Sequence, residues 1–241
     1  MTDDPANQGE NSEARPPPFD ALQPLASQER WINDDLRHLE VYTLQGLLTL
    51  LWHGAADSER VVIMCGGGMG GLLGAGGVYQ DLGTHFAARG IATIRVGYRR
   101  PNHLPSCVHD LAAAGDLAAR TGARRFVTVG HSFGGAVAIQ TAAVMGEMCR
   151  GVVTLATQSA GCEDAGAMHP DTDLLLLHGD QDELLPVDAS MAVRALAGRG
   201  EVEILPGVGH LMDQAVEHLR RRLGEWIPSR LEGRVESAGS S

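Results

Sequence analysis

Arg125-Phe126-Val127-Thr128-Val129-Gly130-His131-Ser132-Phe133-Gly134-Gly135-Ala136 decides how the chain is read. An apolar β-type run, Phe126 to Val129, breaks into Gly-x-Ser-x-Gly, and Gly135 to Met148 continues as an Ala/Val/Ile-rich run of helical character. A strand that turns into a helix within two residues crowds the backbone around the turn residue. Glycine on both sides removes the clashing Cβ atoms, and Ser132 can then hold a strained conformation with its hydroxyl exposed. Ser132 would also stand at a helix N-terminus, where the peptide dipoles favour developing negative charge. These are the requirements of a nucleophile; the competing role for a serine at such a position is helix capping. With 31 glycines in 241 residues, the motif arises by chance often enough that its surroundings must carry the argument.

Outward from this turn, strand and helix signals alternate. On the N-terminal side, Leu36 to Thr43 and Gly46 to Trp52 read as a hairpin around Gln45-Gly46, and Val61 to Cys65 as a buried strand. A glycine-dense loop, a helix from Tyr79 to Ala88, a strand from Ile91 to Val96 and a helix from Pro105 to Thr121 follow. On the C-terminal side, Gly151 to Ala156, Leu174 to Leu177 and Val202 to Leu205 are short β runs, with helices over Val187 to Ala197 and Leu211 to Trp226. This alternation predicts an α/β three-layer sandwich, a mostly parallel sheet with helices on both faces. The length and the 44% apolar content suit one domain, 33–228. Residues 1–32, polar with Pro16-Pro17-Pro18 in the middle, are expected to be a flexible leader, and 229–241 a flexible tail.

In such sheets chemistry gathers at the carboxyl ends of the strands. Leu174 to Leu177 runs into His178-Gly179-Asp180-Gln181-Asp182-Glu183, and Ile204-Leu205-Pro206 into Gly207-Val208-Gly209-His210. A serine nucleophile needs a base to take its proton and an acid to orient that base. His210 is the candidate base. Asp180, Asp182 and Glu183 are candidate acids, with Glu163 and Asp164 a more remote source.

The Gly130 to Gly134 elbow, the His178-Gly-x-x-Asp182 turn and Gly209-His210, in that chain order, make residues 36–228 resemble the α/β-hydrolase superfamily. The resemblance is to its small, lidless members, the dienelactone-hydrolase-like and carboxylesterase-like proteins. It implies a catalytic triad of Ser132, Asp182 and His210, since the family's His-Gly-x-x-Asp pattern falls on Asp182. It also implies an oxyanion hole from the backbone N–H of Phe133 and an amide of the loop after Cys65: Gly67 first, Gly68 or Met69 as alternatives. Many relatives have His-Gly where this chain has Cys65-Gly66. Dienelactone hydrolases proper carry cysteine where this chain has Ser132, which favours simple esters over lactones. The expected activity is cleavage of small carboxylic esters or thioesters through an acyl-enzyme on Ser132, without cofactor or metal. Peptidase, perhydrolase and acyl-transfer reactions use the same triad.

A second class of function competes. Gly66-x-Gly68-x-x-Gly71 after a strand matches the dinucleotide fingerprint of a nicotinamide-dependent oxidoreductase. In that fold the third glycine opens a helix, which Gly74, Gly76 and Gly77 would break, and the next strand ends in Gly97-Tyr98-Arg99-Arg100 with no acid for a ribose. A hydrolase fold used only for binding is a third class; the intact Ser132, Asp182 and His210 stand against it.

The net charge of −11 argues against a nucleic-acid partner. All 19 basic residues are arginine, which has no functional reading here. Cys65, Cys107, Cys149 and Cys162 form no C-x-x-C pair, as expected of reduced thiols in the cytoplasm. There is no apolar run of membrane-spanning length and no secretory leader pattern, so a cytoplasmic protein acting on a small-molecule ester, without a membrane partner, is expected. The oligomeric state is left open. Thr157 to Asp173, about 17 residues, is too short for a helical cap. With 4% aromatics, short-chain or small aryl esters are expected. His103 and His109 are expected at the surface near the pocket, Met145 and Met148 in the core.

Overall fold

The central strand segments are apolar without alternation because both of their faces are covered. In the computed structural model, which describes residues 16–232, the strands form one sheet: β1 Ala26–Asn33, β2 Leu36–Thr43, β3 Gly46–His53, β4 Arg60–Cys65, β5 Ala92–Gly97, β6 Arg125–His131, β7 Cys149–Leu155, β8 Asp173–Gly179 and β9 Glu201–Leu205. Their spatial order is β1-β2-β3-β5-β4-β6-β7-β8-β9. The pairs from β1 through β3 to β5 are antiparallel, and those from β5 across to β9 are parallel.

Among the described residues there are six α-helices, α1 Pro18–Ala21 before the first strand, α2 Tyr79–Ala87, α3 Leu104–Arg120, α4 Phe133–Met145 and α5 Asp188–Ala197 between strands, and α6 Val216–Leu231 after the last. Side chains alternate across β4. Val61, Ile63 and Cys65 pack with Leu111 of α3 and Ile139 of α4, while Val62 and Met64 pack with Phe86 of α2 and Leu219 of α6. Two cores result, one on each face of the sheet, and their burial supplies most of the stabilisation. Helix α4 is buried at ten of its 13 residues, which explains its lack of a polar stripe.

The chain leaves β4 for β5 on one side and returns to β6 on the other. That reversal opens a crevice outside the carboxyl ends of β4 and β6. The register pairs Cys65 with Gly130, so the glycine-dense loop after β4 and the turn after β6 face one another there.

Four expectations need correction. Within the expected flexible leader, Pro18–Ala21 is α1 and Ala26–Asn33 is edge strand β1. All eight β1 residues are exposed; the strand is held by its backbone ladder to β2, so no burial pattern announces it. The Phe19 amide donates to Asp116 at 3.0 Å and Leu22 is buried in the core; residues 1–15 lie outside the described residues. Helix α6 begins at Val216 rather than Leu211, because Met212 takes a left-handed conformation (φ 60°) and Asp213–Ala215 is a 3-10 turn. It then runs through Pro228 to a buried Leu231, whose carbonyl accepts from Arg125 at 3.0 Å, so the expected tail is ordered this far; 233–241 are not described. Met145 is buried as expected, but Met148 is 38% exposed.

Between β7 and β8 there is only a 3-10 turn, Glu163–Ala167, and among the described residues no cap covers the crevice. All four cysteines are free and buried. Among the described residues no helix is long and apolar enough to cross a membrane.

Candidate active site

Ser132 stands between the last residue of β6 and the first of α4 with φ 57° and ψ −123°. Such a conformation costs on the order of 1–3 kcal/mol for a residue with a side chain. It is held in place by the Ser132 amide donating to Leu155 O at 2.8 Å and by Gly135 N–H donating to Ser132 O at 2.9 Å. The flanking glycines are sterically required. A Cβ on Gly130 would fall 1.8 Å from Gly134 O, and one on Gly134 would fall 2.4 Å from Gly66 O. Gly134 therefore does more than permit the turn: it lets the loop after β4 lie against the elbow.

The loop after β9 delivers His210. Gly207 N–H donates to Asp180 Oδ1 at 2.7 Å, Gln181 N–H to Val208 O at 3.0 Å, and His210 N–H to Glu183 Oε2 at 3.3 Å. The loops after β8 and β9 thus brace each other. His210 Nε2 lies 3.0 Å from Ser132 Oγ, and His210 Nδ1 2.8 Å from Asp182 Oδ2. The carboxylate only accepts, so Nδ1 carries the proton and Nε2 presents its lone pair to the serine hydroxyl.

The three candidate acids of the β8 turn separate here by what they touch. Asp182 reaches the His210 ring, whereas Asp180 and Glu183 hold backbone amides of its loop. Glu163 accepts the Gly161 amide within its own turn. The Asp182 side chain is 1% exposed, and its Oδ1 accepts from the amides of Leu184 at 2.9 Å and Leu185 at 2.8 Å. Burial alone would raise its pKa, but the Leu185 amide, the His210 ring and the Leu184 amide outweigh it. The carboxyl is held below its ordinary value.

Two histidines that sequence reasoning passed over complete the arrangement. His178 Nε2 lies 3.2 Å from Asp182 Oδ2 and 3.1 Å from Leu185 O, both acceptors, and its Nδ1 meets Ser190 Oγ at 2.8 Å. Its proton is therefore on Nε2, directed at the acid and its turn. His131 Nε2 donates to His210 O at 2.9 Å, with the two rings 5.0 Å apart. Burial pushes the His131 imidazole below its ordinary value, which keeps it neutral. Their only sequence signal is that they sit inside the motifs, His131 before Ser132 and His178 at the head of His-Gly-x-x-Asp. His103 instead caps α3, accepting the Ser106 amide at 3.3 Å, and His109 Nε2 donates to Pro18 O at 2.8 Å; neither lines the cleft.

The loop of residues 66–74 forms the opposite wall. Gly67 O accepts from Gly70 N–H at 2.9 Å, closing a tight turn. A Cβ on Gly67 would lie 3.5 Å from Ser132 Cβ, and one on Gly68 3.2 Å from Asn102 Oδ1 and 3.7 Å from Phe133 Cβ. Gly67 and Gly68 thus both lie within reach of the elbow. The Met69 side chain is 98% exposed on the rim. Helix α2 does not start until Tyr79, so Gly71 opens no helix and the geometry of a dinucleotide site is not formed.

The walls enclose a cleft of about 590 Å³ containing Ser132, His131, His210 and Asn102. Met69, Leu73, Leu184 and Leu211 stand exposed around its mouth. A hydroxyl, an imidazole and a carboxylate in line beside an apolar cleft are an arrangement suited to acyl transfer.

No protein-family model matches the chain, and no curated protein matches its sequence. Solved structures do. The chain is similar to Est1E from Butyrivibrio proteoclasticus (TM-score 0.69, 17% identity, 81% of this chain and 99% of that one). A structure of Est1E with ferulic acid bound also matches (TM-score 0.65, 16% identity, 78% and 97%). An alpha-beta serine hydrolase homologue from Coxiella burnetii matches with TM-score 0.65 and 19% identity over 81% and 98% of the two chains. Dienelactone hydrolase from Anabaena variabilis matches with 0.65 and 16% over 85% and 99%.

Proposed function

On the α/β-hydrolase fold, which this chain has, we propose a serine hydrolase that cleaves small carboxylic esters or thioesters through an acyl-enzyme on Ser132. One observation carries the reading: the relay from Ser132 Oγ to His210 Nε2 at 3.0 Å and from His210 Nδ1 to Asp182 Oδ2 at 2.8 Å.

His210 takes the Ser132 proton as Oγ attacks the acyl carbon, then returns it to the leaving oxygen or sulfur. A water activated by the same ring releases the acid. Asp182 keeps His210 in the tautomer this requires and stabilises the imidazolium. The Phe133 N–H at the head of α4 and the Gly67 amide receive the oxyanion; one such donor is worth about 3–4 kcal/mol of barrier.

The uncapped cleft and its aliphatic rim favour short acyl chains and small aryl groups. The ferulic acid bound to Est1E makes hydroxycinnamate esters a reasonable first aryl series. The four buried free cysteines suit the reducing cytoplasm.

The test is labelling by a fluorophosphonate with peptide mapping, beside turnover of p-nitrophenyl acetate. Label on Ser132, lost in Ser132→Ala, supports the reading. A folded wild-type protein that takes no label at Ser132 removes it.

A further inference from the structure

The loop after β4 contains Gly66, Gly67, Gly68, Gly70, Gly71 and Gly74, so its own sequence resists reorientation very little. An oxyanion donor works only if it is aimed before charge develops. A backbone this free must therefore be held from outside.

Three side chains hold it, each by a carbonyl. Tyr79 Oη donates to Cys65 O at 3.0 Å, Tyr98 Oη to Gly66 O at 3.0 Å, and the Arg95 guanidinium to Leu72 O at 3.2 Å. The Tyr98 bond has a particular consequence. In a trans peptide the C=O and the following N–H point in opposite directions within one plane. Fixing Gly66 O therefore fixes the Gly67 N–H.

The direction is set as well. Gly66 O is lodged against the elbow, where a Cβ on Gly134 would approach it to 2.4 Å. It points into the protein, so the Gly67 N–H points outward, to the cleft that Gly67 and Ser132 both line. The Tyr98 ring is buried and meets the Phe133 ring edge-on, with centroids 6.4 Å apart and planes at 89°. Phe133 carries the other proposed donor. Burial raises the Tyr98 phenol well above its ordinary value, so the hydroxyl stays a neutral donor.

We propose that Tyr98 is a positioning residue of the oxyanion hole: its hydroxyl, by holding the Gly66 carbonyl, aims the Gly67 amide at the acyl oxygen, while its ring braces Phe133. This rests on acyl transfer at Ser132.

Tyr98→Phe keeps the ring and removes only the donor. With p-nitrophenyl acetate, kcat should fall roughly tenfold or more with KM within about twofold, because a misaimed donor affects the transition state and not the ground state. Affinity for benzyl trifluoromethyl ketone, which forms a tetrahedral oxyanion on a serine, should fall by the same factor. A kcat loss without the parallel loss of ketone affinity, or neither loss in a folded variant, overturns the proposal. One measurement needs no variant. In wild-type protein with isotope-labelled glycine, the Gly67 amide proton should move downfield when the ketone binds; an unmoved Gly67 resonance overturns the proposal. A wild-type protein that neither turns over ester nor binds the ketone brings down the Ser132 reading and this one together. A competent wild type with an indifferent Tyr98→Phe brings down this one alone.

Discussion

His131 donates from Nε2 to the carbonyl oxygen of His210 at 2.9 Å. The residue immediately before the proposed nucleophile thereby grips the backbone of the proposed base, and the strand end and the β9 loop cannot drift apart without breaking that bond. His131→Leu removes it while keeping an apolar side chain of comparable bulk. The expected result is a fall in kcat of about 10- to 100-fold, the scale of small misplacements of reacting groups. Fluorophosphonate labelling of Ser132 should slow in step. Labelling at the wild-type rate would show that the β9 loop holds His210 unaided.

The relay itself makes the sharpest demand on activity. For His210→Ala, kcat should drop by roughly 10³-fold or more, the scale of triad knockouts. Asp182→Asn keeps the shape but places an amide where His210 Nδ1–H needs an acceptor, favouring the wrong tautomer, and should cost on the order of 10⁴ in kcat. Steady-state turnover of p-nitrophenyl acetate measures both. Near-normal turnover in His210→Ala would exclude it as the base.

Gly134 separates steric need from conformational preference. It lies in the first turn of α4, where its backbone is helical, so alanine there meets no dihedral penalty. The obstacle is Gly66 O, 2.4 Å from where the Cβ would stand. Gly134→Ala should push the loop of residues 66–74 off the elbow, destabilising the protein by about 1–3 kcal/mol in urea unfolding, the scale of overpacking, and lowering kcat more than KM. An unchanged urea midpoint would mean that the loop has room to retreat.

The elbow and His210 were legible in the sequence from local rules, a strand meeting a helix across glycines and a loop at the carboxyl end of an apolar run, whereas the β8 turn left Asp180, Asp182 and Glu183 open and only the resemblance to the His-Gly-x-x-Asp pattern pointed to Asp182. Strand β1 was not legible, since its eight residues are all exposed and backbone pairing leaves no side-chain pattern. The start of α6 was misread because the left-handed Met212 and a 3-10 turn occupy residues that look helical in composition. His178, His131 and Tyr98 escaped for another reason. His131 and Tyr98 meet backbone carbonyls far off in sequence, of His210 and Gly66, which leave no side-chain pattern, and His178, four residues before Asp182, sits in a motif from which only the acid was read.

Substrate range follows from the uncapped cleft. Only a 3-10 turn lies between β7 and β8, so an acyl chain longer than the cleft projects past Met69 and Leu184 into water, where added methylenes gain little burial. Across a series of p-nitrophenyl esters, kcat/KM should peak at short acyl chains and decline with length. A steady rise through long chains would mean that the aliphatic rim closes over the substrate.

Stability should carry a pH signature whose upper part comes from outside the relay. His53 is 1% exposed on β3, its Nε2 has no partner, and its ring sits where a Cβ on Gly83 of α2 would approach to 2.7 Å. Burial, with the Arg95 charge adding to it, lowers its pKa from 6.5 to about 4. The folded protein thus resists a proton that the unfolded chain accepts. Above pH 6.5 both states leave His53 neutral and it exerts no pH-dependent effect. As pH falls below that value the unfolded state gains the proton first, so stability declines until the folded-state value near 4 is reached. The full decline from this one group is at most about 3 kcal/mol. Asp182, held below its ordinary value, adds a loss in the same direction at still lower pH. Urea midpoints measured between pH 7 and 4 should therefore fall, and His53→Leu should flatten the upper part of that fall. A variant whose midpoints track the wild type across the whole range would show that another group carries the acid sensitivity.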